Sequence, residues 1–135
     1  MSNMKIKSED NFKAANLLQE NNFYNTSIHA FYYSCIQKLI YILRTSFHLT
    51  ELEITEEFSN SKNGHNYYIN KVFNDCKNNR LSRKKCNYFK NNIYKLRKSR
   101  TKADYKEELA TKEKSIKAEE RTKNILDLLE EAYYE

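Results

Sequence analysis

Arg100, Asp104 and Tyr105 fall within one short segment, R-T-K-A-D-Y, and His65 opens an earlier helical stretch immediately after Gly64. Cleavage of RNA without a metal needs a base for the 2′-hydroxyl proton, a cation for the charge that builds on the phosphate, and an acid for the leaving oxygen. Arg100 suits the second task, because its planar fork can hold two phosphate oxygens and never loses its charge. Asp104 is a poor base near neutral pH, since an unperturbed aspartate has a pKa of roughly 3.9. Burial would raise that value and the neighbouring arginine would lower it. His65 is then the candidate base. A structural reading stands beside this one: Arg100 and Asp104 are spaced i, i+4 and can pair within one helix, which would satisfy an arginine turned toward the core. His65 can equally serve only to open its helix.

These side chains need elements to position them, and the sequence supplies helices. The chain has 135 residues, with no Pro and a single Gly. Helices therefore run uninterrupted, whereas strand-rich folds need many turn residues. The length fits one domain over residues 1–135. A first helix is expected from Ser8, an N-cap followed by Glu9 and Asp10. A second, capped by Asn25 or Thr26, should reach about His48, with Ile28, Phe31, Tyr32, Cys35, Leu39 and Ile42 recurring at spacings of three and four. His29 on this helix reads as a hydrogen-bonded core residue. Residues 49–64 hold the weakest periodicity and the run S-N-S-K-N-G, and are expected to be a long mobile connection. A third helix should run from His65 to Asn78. A break at Asn78, Asn79 and Ser82 precedes a fourth over 82–105, and a fifth runs from about Thr111 to Tyr134.

The stripe of Cys86, Phe89, Ile93 and Leu96 continues in register to Arg100, so this arginine should point where a core residue is expected. The same helix carries most of the net charge of +6. Residues 80–108 hold eleven basic groups against three acidic ones, a balance of +8. An AT-rich genome would enrich lysine, asparagine and tyrosine everywhere, but explains abundance better than clustering. Arg83, Lys84, Lys85, Lys90, Lys95, Arg97, Lys98 and Lys102 lie mostly off the apolar stripe, where they form a solvated face or a phosphate-binding one. Tyr88 and Tyr94 interleave with them and could stack on unpaired bases.

No apolar run is long enough for a membrane span, and the N-terminus lacks the apolar core of a signal peptide, so a cytoplasmic protein is expected. Cys35, Cys76 and Cys86 are odd in number and fall on apolar stripes, which reads as buried free thiols rather than a disulfide or a metal site. The three histidines are too scattered to suggest zinc.

Two stretches resemble the HEPN family, in its small stand-alone prokaryotic members. A-N-L-L-Q-E-N-N-F-Y-N-T-S-I-H-A-F-Y-Y-S-C-I-Q-K-L-I, from Ala15 to Ile40, is similar to that family's opening hairpin. I-Y-K-L-R-K-S-R-T-K-A-D-Y looks like its segment ending R-x-x-A-D-Y. The resemblance implies an all-α bundle of four to five helices that dimerises, with no cofactor. It also implies an RNA-directed effector of a toxin–antitoxin or phage-defence system, often a metal-independent ribonuclease, or a non-catalytic module pairing with a minimal nucleotidyltransferase. Tyr105 would then be a candidate for nucleotide modification by that partner. The sequence departs from the family's nuclease pattern of an arginine followed after four to six residues by a histidine. No histidine follows Arg97 or Arg100, and Asp104 stands at the corresponding place.

Overall fold

With one glycine and no proline to interrupt it, the backbone closes its hydrogen bonds within helices. A computed structural model describes residues 2–134 with the exception of Asn79, so that part of the expected break lies outside the described residues. The described residues form six helices and no strand: α1 (Met4–Glu20), α2 (Tyr24–Thr45), α3 (Glu51–Asn60), α4 (Gly64–Lys77), α5 (Arg83–Tyr105) and α6 (Lys112–Tyr133). None is long and apolar enough to cross a membrane.

The all-α class follows the sequence expectation, with one helix more than expected. Residues 49–64, expected to be a connection, contain α3. Its start is built as a capping box: the Thr50 hydroxyl accepts from the Glu53 amide, and Glu53 accepts in turn from the Thr50 amide, both at 3.1 Å. Only Ile54 of this helix is buried, which is why its periodicity is weak. Two caps also differ from expectation. Ser8 lies inside α1, and Asn25 lies inside α2, where its side chain accepts from the Ala110 amide at 2.7 Å. By contrast Ser82 and Thr111 cap α5 and α6.

Helix α2 packs against α1, α4, α5 and α6. Ile28, Phe31, Cys35, Leu39, Ile42 and Leu43 are all at most 1% exposed and form one apolar face, which buried Ala30, Ser34 and Ile36 widen, as a central helix requires. Direction follows from the cross-helix pairs. Ser27 meets Ser115, and Lys38 meets Glu130, so α6 runs parallel to α2. Lys85 and Tyr88 meet Glu131 and Asn124, so α5 runs antiparallel to α6 and hence to α2.

Small hydroxyl residues seat the outer helices closely on α2. The Ser8 hydroxyl donates to the Ser34 carbonyl at 2.6 Å, and the Ser34 hydroxyl donates to the Ser8 carbonyl at 2.8 Å. Both residues are buried, so each side chain satisfies itself on the opposite backbone. All three cysteines are free and buried, as expected from their place on apolar stripes. Burial pushes the Cys35 thiol up to about 12 and the Cys76 thiol to about 11, which keeps both protonated and unreactive.

Two outcomes follow from this packing. Ser8→Leu should force α1 away from α2 and lower unfolding free energy by about 2 kcal/mol in urea titration, within the usual range for overpacking. A thiol reagent should label none of the three cysteines in the native protein and all of them in denaturant.

Candidate functional site

The last turns of α5 face the first half of α2, and this antiparallel contact assembles the polar cluster. On α2, His29, Tyr32 and Tyr33 are spaced i, i+3 and i+4 and share one side of the helix. On α5, Arg100 and Asp104 are likewise one turn apart. Helix α4 brings His65 from its first turn. Gly64 lets the Phe58 ring of α3 lie directly against the start of α4, since a Cβ there would overlap that ring.

Arg100 does point inward, and is 8% exposed. Its guanidinium carbon lies 5.0 Å from the ring centre of Tyr32 and 5.7 Å from that of Tyr33. Its NH1 group lies 3.5 Å from Asp104 Oδ2, so the i, i+4 pair forms. The arginine is thus held by aromatic faces and a carboxylate rather than sealed in aliphatic side chains. Its buried Nε has no hydrogen-bond partner among the described residues.

The same Asp104 oxygen has a second and closer partner. His29 Nδ1 lies 2.8 Å from Asp104 Oδ2, and because a carboxylate can only accept, the imidazole nitrogen donates. The His29 side chain is 45% exposed and that of Asp104 only 19%. His29 is therefore hydrogen-bonded, as expected, but it is not a core residue. The chain folds this way locally because position 29 lies at the edge of the α2 face turned to α5, where a long polar side chain can reach solvent.

His65 is half-buried. Its Nδ1 lies 2.8 Å from the hydroxyl of Tyr32, and Tyr33 presents its ring edge at 5.7 Å. Tyr33 also lies 4.7 Å from His29, so one tyrosine ring contacts both imidazoles. Burial, followed by the positive charges of Arg97 and Arg100, pulls the His65 pKa below the ordinary histidine value. Burial raises the Tyr32 pKa despite the nearby arginines. His65 is consequently neutral and Tyr32 protonated at neutral pH.

The basic residues of α5 separate into two groups. Lys84, Lys95, Lys98 and Lys102 are exposed and share the outward face at about 100° per residue; Arg83 is exposed beside them. Three others are engaged by protein. Lys85 pairs with Glu131 at 2.6 Å, Lys90 sits 4.6 Å over the Phe73 ring, and Arg97 donates to Asn66 and Asn63 at the start of α4. Tyr88 accepts from Asn124 at 2.7 Å, and Tyr94 packs against the core. Tyr105, at the end of α5, is 73% exposed.

The cluster thus joins Arg100, Asp104 and His65, the catalytic candidates of the sequence, with three residues that the sequence did not mark as part of a site: His29, Tyr32 and Tyr33. Their signal was the i, i+3, i+4 spacing within H-A-F-Y-Y, a polar edge on an otherwise apolar helix. Among the described residues, no three His, Cys, Asp or Glu side chains gather as a metal-ligand set.

The lowered His65 pKa predicts how stability depends on pH. The folded state holds this proton less tightly than the unfolded chain, so the contribution is present above about pH 6.5 and is lost as pH falls through the folded pKa. Chemical denaturation between about pH 7 and about pH 5 should show stability falling with acid, more steeply in the wild type than in His65→Asn. Carboxylates titrate below most of this window, so the difference between the two slopes reports His65. No family model, curated protein or solved structure matches the chain, so the function of this cluster has to be argued from its own chemistry.

Proposed function

We propose that this chain is a HEPN-like, RNA-directed effector of a bacterial toxin–antitoxin or phage-defence system, acting as a metal-independent ribonuclease. The observation that carries the reading is the meeting of a buried arginine, a carboxylate and two imidazoles under the end of a helix whose outer face holds Lys84, Lys95, Lys98 and Lys102. The lysines supply sequence-independent attraction to phosphate, and the cluster supplies groups able to move a proton near neutral pH. Cleavage would join the 2′-oxygen to phosphorus and expel the 5′-oxygen, leaving a cyclic phosphate and a 5′-hydroxyl. A cytoplasmic setting accords with RNA as substrate. A homodimer would cover Phe23, Tyr105 and Leu109, which are 59%, 73% and 74% exposed. The hydrogen bond from the Ala110 amide to Asn25 holds the first turn of α2 against the α5–α6 loop.

A second reading rests on a different observation. Arg100 is held on both sides by protein groups, as in a structural ion pair, while Tyr105 stands free at the helix end. Those two facts favour a non-catalytic module that pairs with a nucleotidyltransferase and presents Tyr105 for modification.

Induced expression should slow growth and fragment cellular RNA, and Arg100→Ala should abolish both while the purified variant still melts cooperatively. Normal growth with intact RNA in the wild type, together with a nucleotide-sized mass increase on Tyr105 when a neighbouring nucleotidyltransferase is co-expressed, would establish the second reading instead. Binding to single-stranded RNA should weaken linearly in log–log plots against salt. Reversing Lys84, Lys98 and Lys102 to Glu should reduce that slope by about 2, at roughly 0.7 per phosphate contact. A slope near zero in the wild type would remove the phosphate-tracking role.

A further inference from the structure

His29 and Asp104 form a pair that the R-T-K-A-D-Y segment alone does not disclose. We infer that His29 is the general base of the cleavage reaction, with Asp104 and Arg100 as its positioning residues. This assignment rests on the ribonuclease reading.

Three observations carry it. First, the pair has the polarity of a working acid–base dyad. Asp104 accepts a hydrogen bond from Nδ1–H at 2.8 Å, which favours the neutral tautomer with a bare Nε2. Second, the two members differ in exposure in the useful direction. The carboxylate is mostly covered, at 19%, whereas the imidazole is 45% exposed. Among the described residues Nε2 has no hydrogen-bond partner, which leaves this nitrogen free to accept a proton. Third, Arg100 secures the carboxylate from the protein side, with NH1 3.5 Å from the same oxygen. Buried cation, covered carboxylate and exposed imidazole form a line from core to surface.

The alternative base, His65, is placed less well. Its Nδ1 is engaged by Tyr32 and its ring is half-buried beside Tyr33 and Tyr68. Arg100 is likewise too covered to clamp an incoming phosphate, being 8% exposed.

In the step itself, His29 Nε2 takes the 2′-hydroxyl proton as the 2′-oxygen bonds to phosphorus. The bond from phosphorus to the 5′-oxygen breaks, and that oxygen takes a proton from water. The hydroxide so formed removes the proton from the imidazolium, which restores the enzyme. No oxidant or reductant takes part.

The test uses the full chain, a labelled single-stranded oligoribonucleotide and EDTA, with circular dichroism to confirm folding. His29→Ala should cut cleavage by about 100-fold or more, in the range that general acid–base groups contribute. Added imidazole should restore part of that activity. Asp104→Asn should lower the rate and alter its pH profile, and should shift the neutral His29 ring, read by 15N NMR, away from the Nδ1–H tautomer. His65→Asn should lower the rate far less than His29→Ala does. If folded His29→Ala cleaves at the wild-type rate, or loses activity that imidazole does not restore, the assignment of His29 is overturned while the ribonuclease reading stands. If the wild-type chain itself leaves the RNA intact, the ribonuclease reading falls and the base assignment falls with it.

Discussion

A guanidinium that never loses its charge sits under the surface of this bundle, and the arrangement of three helices depends on how it is accommodated. Burying an unpaired charge costs several kcal/mol. Arg100 offsets that cost with the faces of Tyr32 and Tyr33 and with the Asp104 carboxylate. Each cation–π contact contributes about 0.5–2 kcal/mol, and neither survives a shift of α5 by one turn. The arginine therefore fixes the register of α5 on α2. Arg97, three residues earlier, does the same for α4 by donating to Asn63 and Asn66. One face of α5 consequently determines where His65 and His29 stand relative to each other.

The opposite side of α2 is held by different means. Ser8 and Ser34 exchange hydrogen bonds with each other's carbonyls, and Ser27 and Ser115 meet at 2.7 Å. These short side chains allow close helix approach without leaving a polar atom unsatisfied. At the far end of α2, the Thr45 hydroxyl lies 3.3 Å from that of Tyr134, and the Tyr41 and Tyr134 ring centres lie 5.9 Å apart. The helix carrying His29 is thus gripped along its length, and its polar edge is presented by a rigid element rather than a loop. Side chains on such an element lose little further freedom when a substrate arrives.

Apolar periodicity was enough to place α2, α4, α5 and α6, because each buries a continuous stripe. It was not enough for α3, which buries Ile54 alone. The clue there was the spacing of Thr50 and Glu53, a capping box rather than a stripe. Arg100 was legible as an inward residue because it extends the series Cys86, Phe89, Ile93 and Leu96. Its partners were not. A single helix can disclose an i, i+4 pair, but the contact between Asp104 and His29 joins residues 75 apart in sequence, and only the antiparallel packing of α5 on α2 creates it. Ser8 was misread for a related reason. As the first hydroxyl before two acidic residues it has the pattern of a cap, while its true partner is Ser34 on another helix.

The contact between α2 and α5 also bears on how the R-T-K-A-D-Y segment differs from the nuclease pattern of the HEPN proteins it resembles. An arginine and a histidine one to two turns apart on one helix share a face because the helix dictates it. Here the position one turn after Arg100 is an aspartate, and the imidazole comes from α2. A carboxylate between the two changes what each can do. With Asp104 bridging Arg100 and His29, the arginine's charge is balanced and the imidazole is oriented through Nδ1. On the ribonuclease reading, a carboxylate at that place passes the requirement for a histidine to whichever helix faces Asp104, and the residue that stands there is His29 on α2.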